Sequence, residues 1–141
     1  MAAANVVGAY LSSYGVEIET IEPLPKALSL VSSFDGRTAP TTDWKPQHLV
    51  LNGHTDHFPV EDADNWARDL YSGEIVDHRI HGRGGVDMKA GTAALVFAFA
   101  YLYSFRSSLP GKCVLEAVSD EETGGKFRTQ YLLEQHERRE L

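Results

Sequence analysis

One histidine and four carboxylates, carried in three short polar motifs, are the residues of this chain whose types and spacing suit metal chemistry: His54 with Asp56, Asp87, and Glu121 with Glu122. His54 and Asp56 lie two apart just after the apolar run Leu49-Val50-Leu51, so on an extended backbone their side chains leave on the same face. A carboxylate beside an imidazole fixes its tautomer and strengthens it as a metal ligand. The competing reading is a turn in which Asp56 caps a loop and His54 is a partly buried polar residue. Asp87 sits in Gly82-Arg83-Gly84-Gly85-Val86-Asp87-Met88-Lys89-Ala90-Gly91, before a long apolar run. Glycine-rich backbone and the positive end of a helix hold such a carboxylate ionised, as a metal ion requires, although a plain helix cap uses the same residue. Glu121 and Glu122 are adjacent after a β-rich stretch, where successive side chains point to opposite sides. One can then face a metal while the other serves as general base. A solvated acidic strand end that includes Asp120 is the alternative.

The elements that must position these residues follow from the apolar pattern. Val6, Val7, Tyr10, Leu11 and Tyr14 fall at helical spacing over Asn5 to Tyr14, with Gly15 as a left-handed stop. Val16 to Ile21 alternates like a strand, Pro23 and Pro25 interrupt it, Ala27 to Ser33 reads as a second strand, and Phe34 to Gln47, with Pro40 and Pro46, reads as a loop. His48 to Asn52 predicts a buried strand ending at Gly53-His54-Thr55-Asp56. Glu61 to Tyr71 is an irregular acidic excursion, and Glu74 to Ile80 predicts an edge hairpin turning at Asp77-His78. Met88 to Phe105 predicts a core helix, apolar nearly all round and so covered on both sides; Gly91 to Phe105 is short for a bilayer span. Pro110-Gly111 ends that connection, Lys112 to Ser119 predicts a strand, and Gly124-Gly125 opens a last helix with Phe127, Tyr131, Leu132 and Leu133 on its apolar side. Strands alternating with helices give an α/β layer fold, in which ligands gather at the carboxyl ends of strands.

Composition narrows the classes. The chain has 141 residues, 43% hydrophobic, which is one domain with a core. Its formal charge of −7, with Arg138-Arg139 as the basic pair, argues against nucleic acid or an anionic membrane as partner. Cys113 is the single cysteine and reads as a small buried hydrophobe; with no internal disulfide to form and no basic, apolar leader at Met1 to Val7, the expected location is cytoplasmic. His48, His57, His78, His81 and His136 read as strand-end, turn or helix-end residues. The Gly82-x-Gly84 pair is no dinucleotide fingerprint, because Asp87 replaces the third glycine and would repel a pyrophosphate.

Three stretches taken together resemble the zinc-dependent aminoacylase, acetylornithine deacetylase, succinyl-diaminopimelate desuccinylase and carboxypeptidase-G family of metallopeptidases. They are Leu49-Val50-Leu51-Asn52-Gly53-His54-Thr55-Asp56 with Pro59, Gly82 to Gly91, and Ser119-Asp120-Glu121-Glu122-Thr123-Gly124-Gly125. The resemblance implies a layered mixed β-sheet with flanking helices and two Zn²⁺ ions, or Co²⁺ in their place. It implies that His54 ligates one zinc, Asp56 orients that imidazole, Asp87 bridges both ions, Glu122 ligates the other, and Glu121 is the general base. It also implies a cis peptide at Asp87-Met88. The implied reaction is hydrolysis of the amide of an N-acyl amino acid or small peptide, with Glu121 taking a proton from an activated water and returning it to the leaving amine.

Family members complete each zinc with a later aspartate or glutamate and a histidine near the C-terminus, and carry an inserted domain that makes homodimers. The expectation is therefore that residues 1–141 are the N-terminal part of one catalytic domain, with little or no activity alone. The alternatives are a non-catalytic binding or regulatory remnant that docks through uncovered apolar surface, and a chain that does not fold by itself.

Overall fold

Helix α1 (Ala2–Ser13) buries Ala4 and Leu11 and ends where Gly15 takes a left-handed φ of 72°. Gly15 N–H donates to Ser12 O and Val16 N–H to Leu11 O, the paired bonds of a Schellman cap. This cap turns Val16 into the core, so strand β1 starts only at Glu19 (Glu19–Ile21) rather than at Val16. The fold is seen in a computed structural model that describes residues 2–22, 28–37, 47–125, 130 and 134. Pro23, Pro25, Pro40, Pro46 and most of the helix expected after Gly125, with Phe127, Tyr131, Leu132, Leu133, His136 and Arg138-Arg139, lie outside the described residues.

Strands β2 (Ser29–Asp35), β3 (His48–His54) and β6 (Lys112–Val118) join β1 in one mixed sheet of order β1-β2-β6-β3. β2 runs two residues past the expected Ser33 because Phe34 and Asp35 pair with Cys113 and Lys112. The pairing is antiparallel between β2 and β6 and parallel between β6 and β3. β6 is central and almost wholly buried. Among the described residues β3 is an edge strand, with Leu49 48% and Val50 54% exposed, which corrects the reading of His48 to Asn52 as a buried strand. A short apolar run does not distinguish an edge from a centre.

Strands β4 (Ile75–Val76) and β5 (Arg79–Ile80) form the expected hairpin. Asp77 and His78 both have positive φ, 48° and 62°, as a primed two-residue turn requires. Helix α2 (Ala90–Ser104) follows the glycine motif. The stretch Gly85–Ser104 is long and apolar enough to cross a membrane on length and composition. Its helix nevertheless packs Val96, Phe99 and Ala100 into a core with Leu11, Val16, Phe34, Cys113 and Leu115. The other side of α2 is open, with Phe97, Tyr101 and Phe105 exposed, so the expectation of cover on both sides is not met in this chain.

Phe99 is fully buried and its ring lies 5.4 Å from that of Phe34. Tyr103 completes the cluster and donates to Gly15 O at 3.0 Å, tying α2 to the cap of α1. Phe99→Ala should therefore cost about 3–5 kcal/mol, read as a fall in unfolding free energy by denaturant titration. Cys113 is buried as expected, and burial pushes its thiol pKa up.

Candidate metal centre

The parallel register between β3 and β6 sets His54 opposite Val118, so both strands end at the same rim. Thr55 continues the contact one residue further, its N–H and Oγ1 donating to Val118 O at 2.7 and 3.0 Å. β6 then leads through Ser119-Asp120 into a single 3-10 turn, Glu121–Thr123. The Glu pair thus stands on a turn beyond the strand end, and its side chains are not thrown to opposite sides as strand alternation would place them.

Gly53 lets α2 approach this rim. A Cβ at Gly53 would lie 2.9 Å from Thr92 Oγ1 and 3.0 Å from Leu95 Cδ1. Thr92, buried in the first turn of the mostly apolar α2, donates to His54 O at 2.6 Å. Gly53→Ala should force α2 away, loosen this bond and cost about 1–3 kcal/mol, measurable as a lowered denaturation midpoint.

Asp87 enters from a separate direction. Gly84, with a left-handed φ of 71°, opens an irregular turn over Gly85–Lys89 in which Asp87 and Met88 have non-helical backbone. The Asp87-Met88 peptide is cis, as the resemblance implied. α2 begins only at Ala90 and has no side-chain cap bond, which removes the helix-cap reading of Asp87. Its carboxylate reaches His54 instead, with Oδ1 3.0 Å from Nε2.

All five residues meet at this rim. His54 is buried, its side chain 4% exposed, with Nδ1 3.2 Å from Asp56 Oδ1 and Nε2 3.7 Å from Glu121 Oε2. The Nδ1 approach is too poorly aligned for a hydrogen bond, leaving Nδ1 and Asp56 Oδ1 buried without one. Asp56 Oδ2 accepts the backbone N–H of Glu122 at 3.2 Å. Donor atoms of His54, Glu121 and Glu122 all lie within 4.8 Å of one another. Asp87 joins them through its contact with His54, and its side chain is 75% exposed. Two ligands at about 2.0–2.2 Å from one tetrahedral zinc stand roughly 3.3 Å apart. The 3.0 Å separation between His54 Nε2 and Asp87 Oδ1 is close to that value, so an imidazole and a carboxylate arranged this way suit a divalent cation.

Two contributors were not assigned from the sequence. Thr92 holds the His54 backbone, and its only sequence signal is a hydroxyl inside an apolar helix. Lys89, inside the Asp87 motif, donates from Nζ to Asp56 O at 2.9 Å. Burial pushes its ammonium below the usual lysine range, while the carboxylates of Asp56 and Glu122 pull it back up. His57, by contrast, turns its ring to Phe58 O and Tyr71.

A profile of Peptidase family M20/M25/M40 matches residues 50–140. The N-formyl-4-amino-5-aminomethyl-2-methylpyrimidine deformylase of Halalkalibacterium halodurans is 30% identical over 122 residues, which is 86% of this chain and 28% of the deformylase. A succinyl-diaminopimelate desuccinylase of Cereibacter sphaeroides is 45% identical over 84 residues, 60% of this chain and 22% of that enzyme. In fold, the chain matches human carnosine dipeptidase 1 with a TM-score of 0.63 at 21% identity, covering 87% of this chain and 27% of that one. It matches the M20 family metallo-carboxypeptidase Sso-CP2 from Sulfolobus solfataricus with a TM-score of 0.63 at 23% identity, covering 86% and 26%. The chain spans about a quarter of the length of the curated relatives it matches. With the profile running from β3 through all three polar motifs, the chain belongs to Peptidase family M20/M25/M40, a family of metallopeptidases and amidohydrolases.

Proposed function

We propose that this chain carries the metal-binding part of a hydrolase site for the amide bond of an N-acyl amino acid or small peptide, with a pair of zinc ions as resident metals. The observation that carries this reading is the meeting of His54, Asp87, Glu121 and Glu122 at one rim from three separate motifs. His54 and Asp87 would hold one ion, and Asp87 and Glu122 the other. Bound there, the metal supplies polarisation of the scissile carbonyl and a more acidic water.

The chain's own residues account for the remaining steps. The Asp56 carboxylate, 3.2 Å from Nδ1, is placed to orient the imidazole once a metal is held at Nε2. Glu121 is 57% exposed in its side chain and stands beside His54 Nε2, where it can take a proton from water and return it to the departing amine. The names of the desuccinylase and deformylase relatives both describe removal of a small acyl group, which supports an acylated amine as substrate. From the described residues each ion receives two protein ligands in this assignment, whereas catalytic zinc takes three. We therefore propose that turnover needs more protein than these 141 residues.

An amine-release assay against N-formyl, N-acetyl and N-succinyl amino acids and dipeptides tests the reading. The protein in its cellular length should show chelator-sensitive, zinc-restored hydrolysis, with the 141-residue chain slower by orders of magnitude. Hydrolysis that survives complete chelation would contradict it. The exposed Leu49, Val50, Phe97, Tyr101 and Phe105 support a second reading, a non-catalytic chain that docks on a partner. Zinc-restored hydrolysis decides against that second reading.

A further inference from the structure

We propose that Lys89 is a positioning residue of this centre, whose ammonium straps the Asp87 turn to the backbone of Asp56 and thereby keeps His54 and Glu122 in register. The inference rests on the metal-centre reading above, and on contacts in which Asp56 is the hub. The Asp56 side chain meets His54 Nδ1 and the N–H of Glu122, so it joins the first motif to the third. Its carbonyl accepts Lys89 Nζ at 2.9 Å, which joins the first motif to the second. Asp87, two residues before Lys89, touches His54 Nε2. A loop formed by His54, Asp56, Lys89 and Asp87 is thus closed by one ammonium-to-carbonyl bond.

Lys89 is itself held at both ends. Its backbone N–H donates to Gly84 O at 2.9 Å, and its side chain passes over the same glycine. A Cβ at Gly84 would lie 2.6 Å from Nζ and 3.0 Å from His57 Cβ, so the left-handed glycine leaves the channel through which the lysine reaches Asp56. The negative charges of Asp56 and Glu122 favour the charged ammonium, against the effect of its burial.

Charge and position make opposite predictions for Lys89. A cation beside a metal site repels the ion, so on Coulombic grounds its removal should tighten metal binding. A strap holds ligands in place, so its removal should loosen binding, as changes around ligating residues typically do by about 10–100-fold. The test is zinc affinity of the 141-residue chain and its Lys89→Met variant, by competition with a chromophoric chelator. It is paired with long-range ¹⁵N–¹H spectra of the His54 ring in the metal-free protein.

The expected result is zinc binding weaker by about tenfold or more in Lys89→Met. The His54 ring should pass from one dominant tautomer, set by the Asp87 and Asp56 carboxylates on either side of it, to a mixture. Equal or tighter zinc binding with an unchanged tautomer would overturn the proposal. If Lys89→Met does not fold, Lys89→Gln is read by the same two measurements and the same two outcomes. Absence of zinc binding by the unmodified chain would count against the metal reading alone, and the His54 spectra would then decide whether Lys89 is a strap.

Discussion

Glu121→Gln is expected to leave zinc bound and to lower turnover of an N-acyl amino acid by about 10²–10⁴-fold, the range that one general acid–base group contributes. The substitution keeps the side chain's size and its place on the 3-10 turn but removes the atom that accepts a proton. The fall should appear in kcat, with KM little changed, because Glu121 is assigned to the reacting water rather than to holding substrate. Metal content by elemental analysis and rate by amine release, on the protein in its cellular length, check this together. Loss of zinc along with activity would instead make Glu121 a ligand, a role its 3.7 Å approach to His54 Nε2 keeps within reach.

Asp87→Ala carries the second large effect. Assigned as the one carboxylate shared by two ions, Asp87 should cost both of them when truncated, whereas Glu122→Ala should cost one. Zinc affinity should drop by more than about a hundredfold, beyond the effect of altering residues around the ligands. Stability of the metal-free chain should fall by no more than about 1–3 kcal/mol, since the truncation leaves the buried His54 Nε2 without its Asp87 partner but removes no helix cap. Inductively coupled plasma analysis after dialysis, beside a thermal melt of the metal-free proteins, separates these outcomes. A variant that retains one ion per chain would remove the bridging role.

Which residues meet at the candidate site was more legible in the sequence than the framework around them. His54, Asp56, Asp87, Glu121 and Glu122 could be singled out because each stands at the end of an apolar or glycine-rich stretch. The hairpin at Asp77-His78 was legible because the first of its two turn residues is a type that tolerates positive φ. What could not be read was how β3 finds β6 across more than fifty intervening residues. That parallel pairing, with His54 opposite Val118, is what brings the histidine to the glutamates. Periodicity also left β3 and α2 too buried in expectation. Leu49, Val50, Phe97 and Tyr101 are apolar yet exposed, and no local pattern records which neighbour an apolar residue meets. Lys89 escaped notice for a related reason, since its partner is a backbone carbonyl in a distant motif.

The central claim, that these motifs converge to bind a divalent metal through His54, is tested most directly by following the histidine rings of the chain by ¹⁵N NMR during titration with zinc. The expected result is a saturable shift of His54 Nε2, with the ring proton on Nδ1 in the zinc-bound form and with His48 and His78 unmoved. A His54 ring that does not respond at millimolar zinc, or a response led by another histidine, would contradict it.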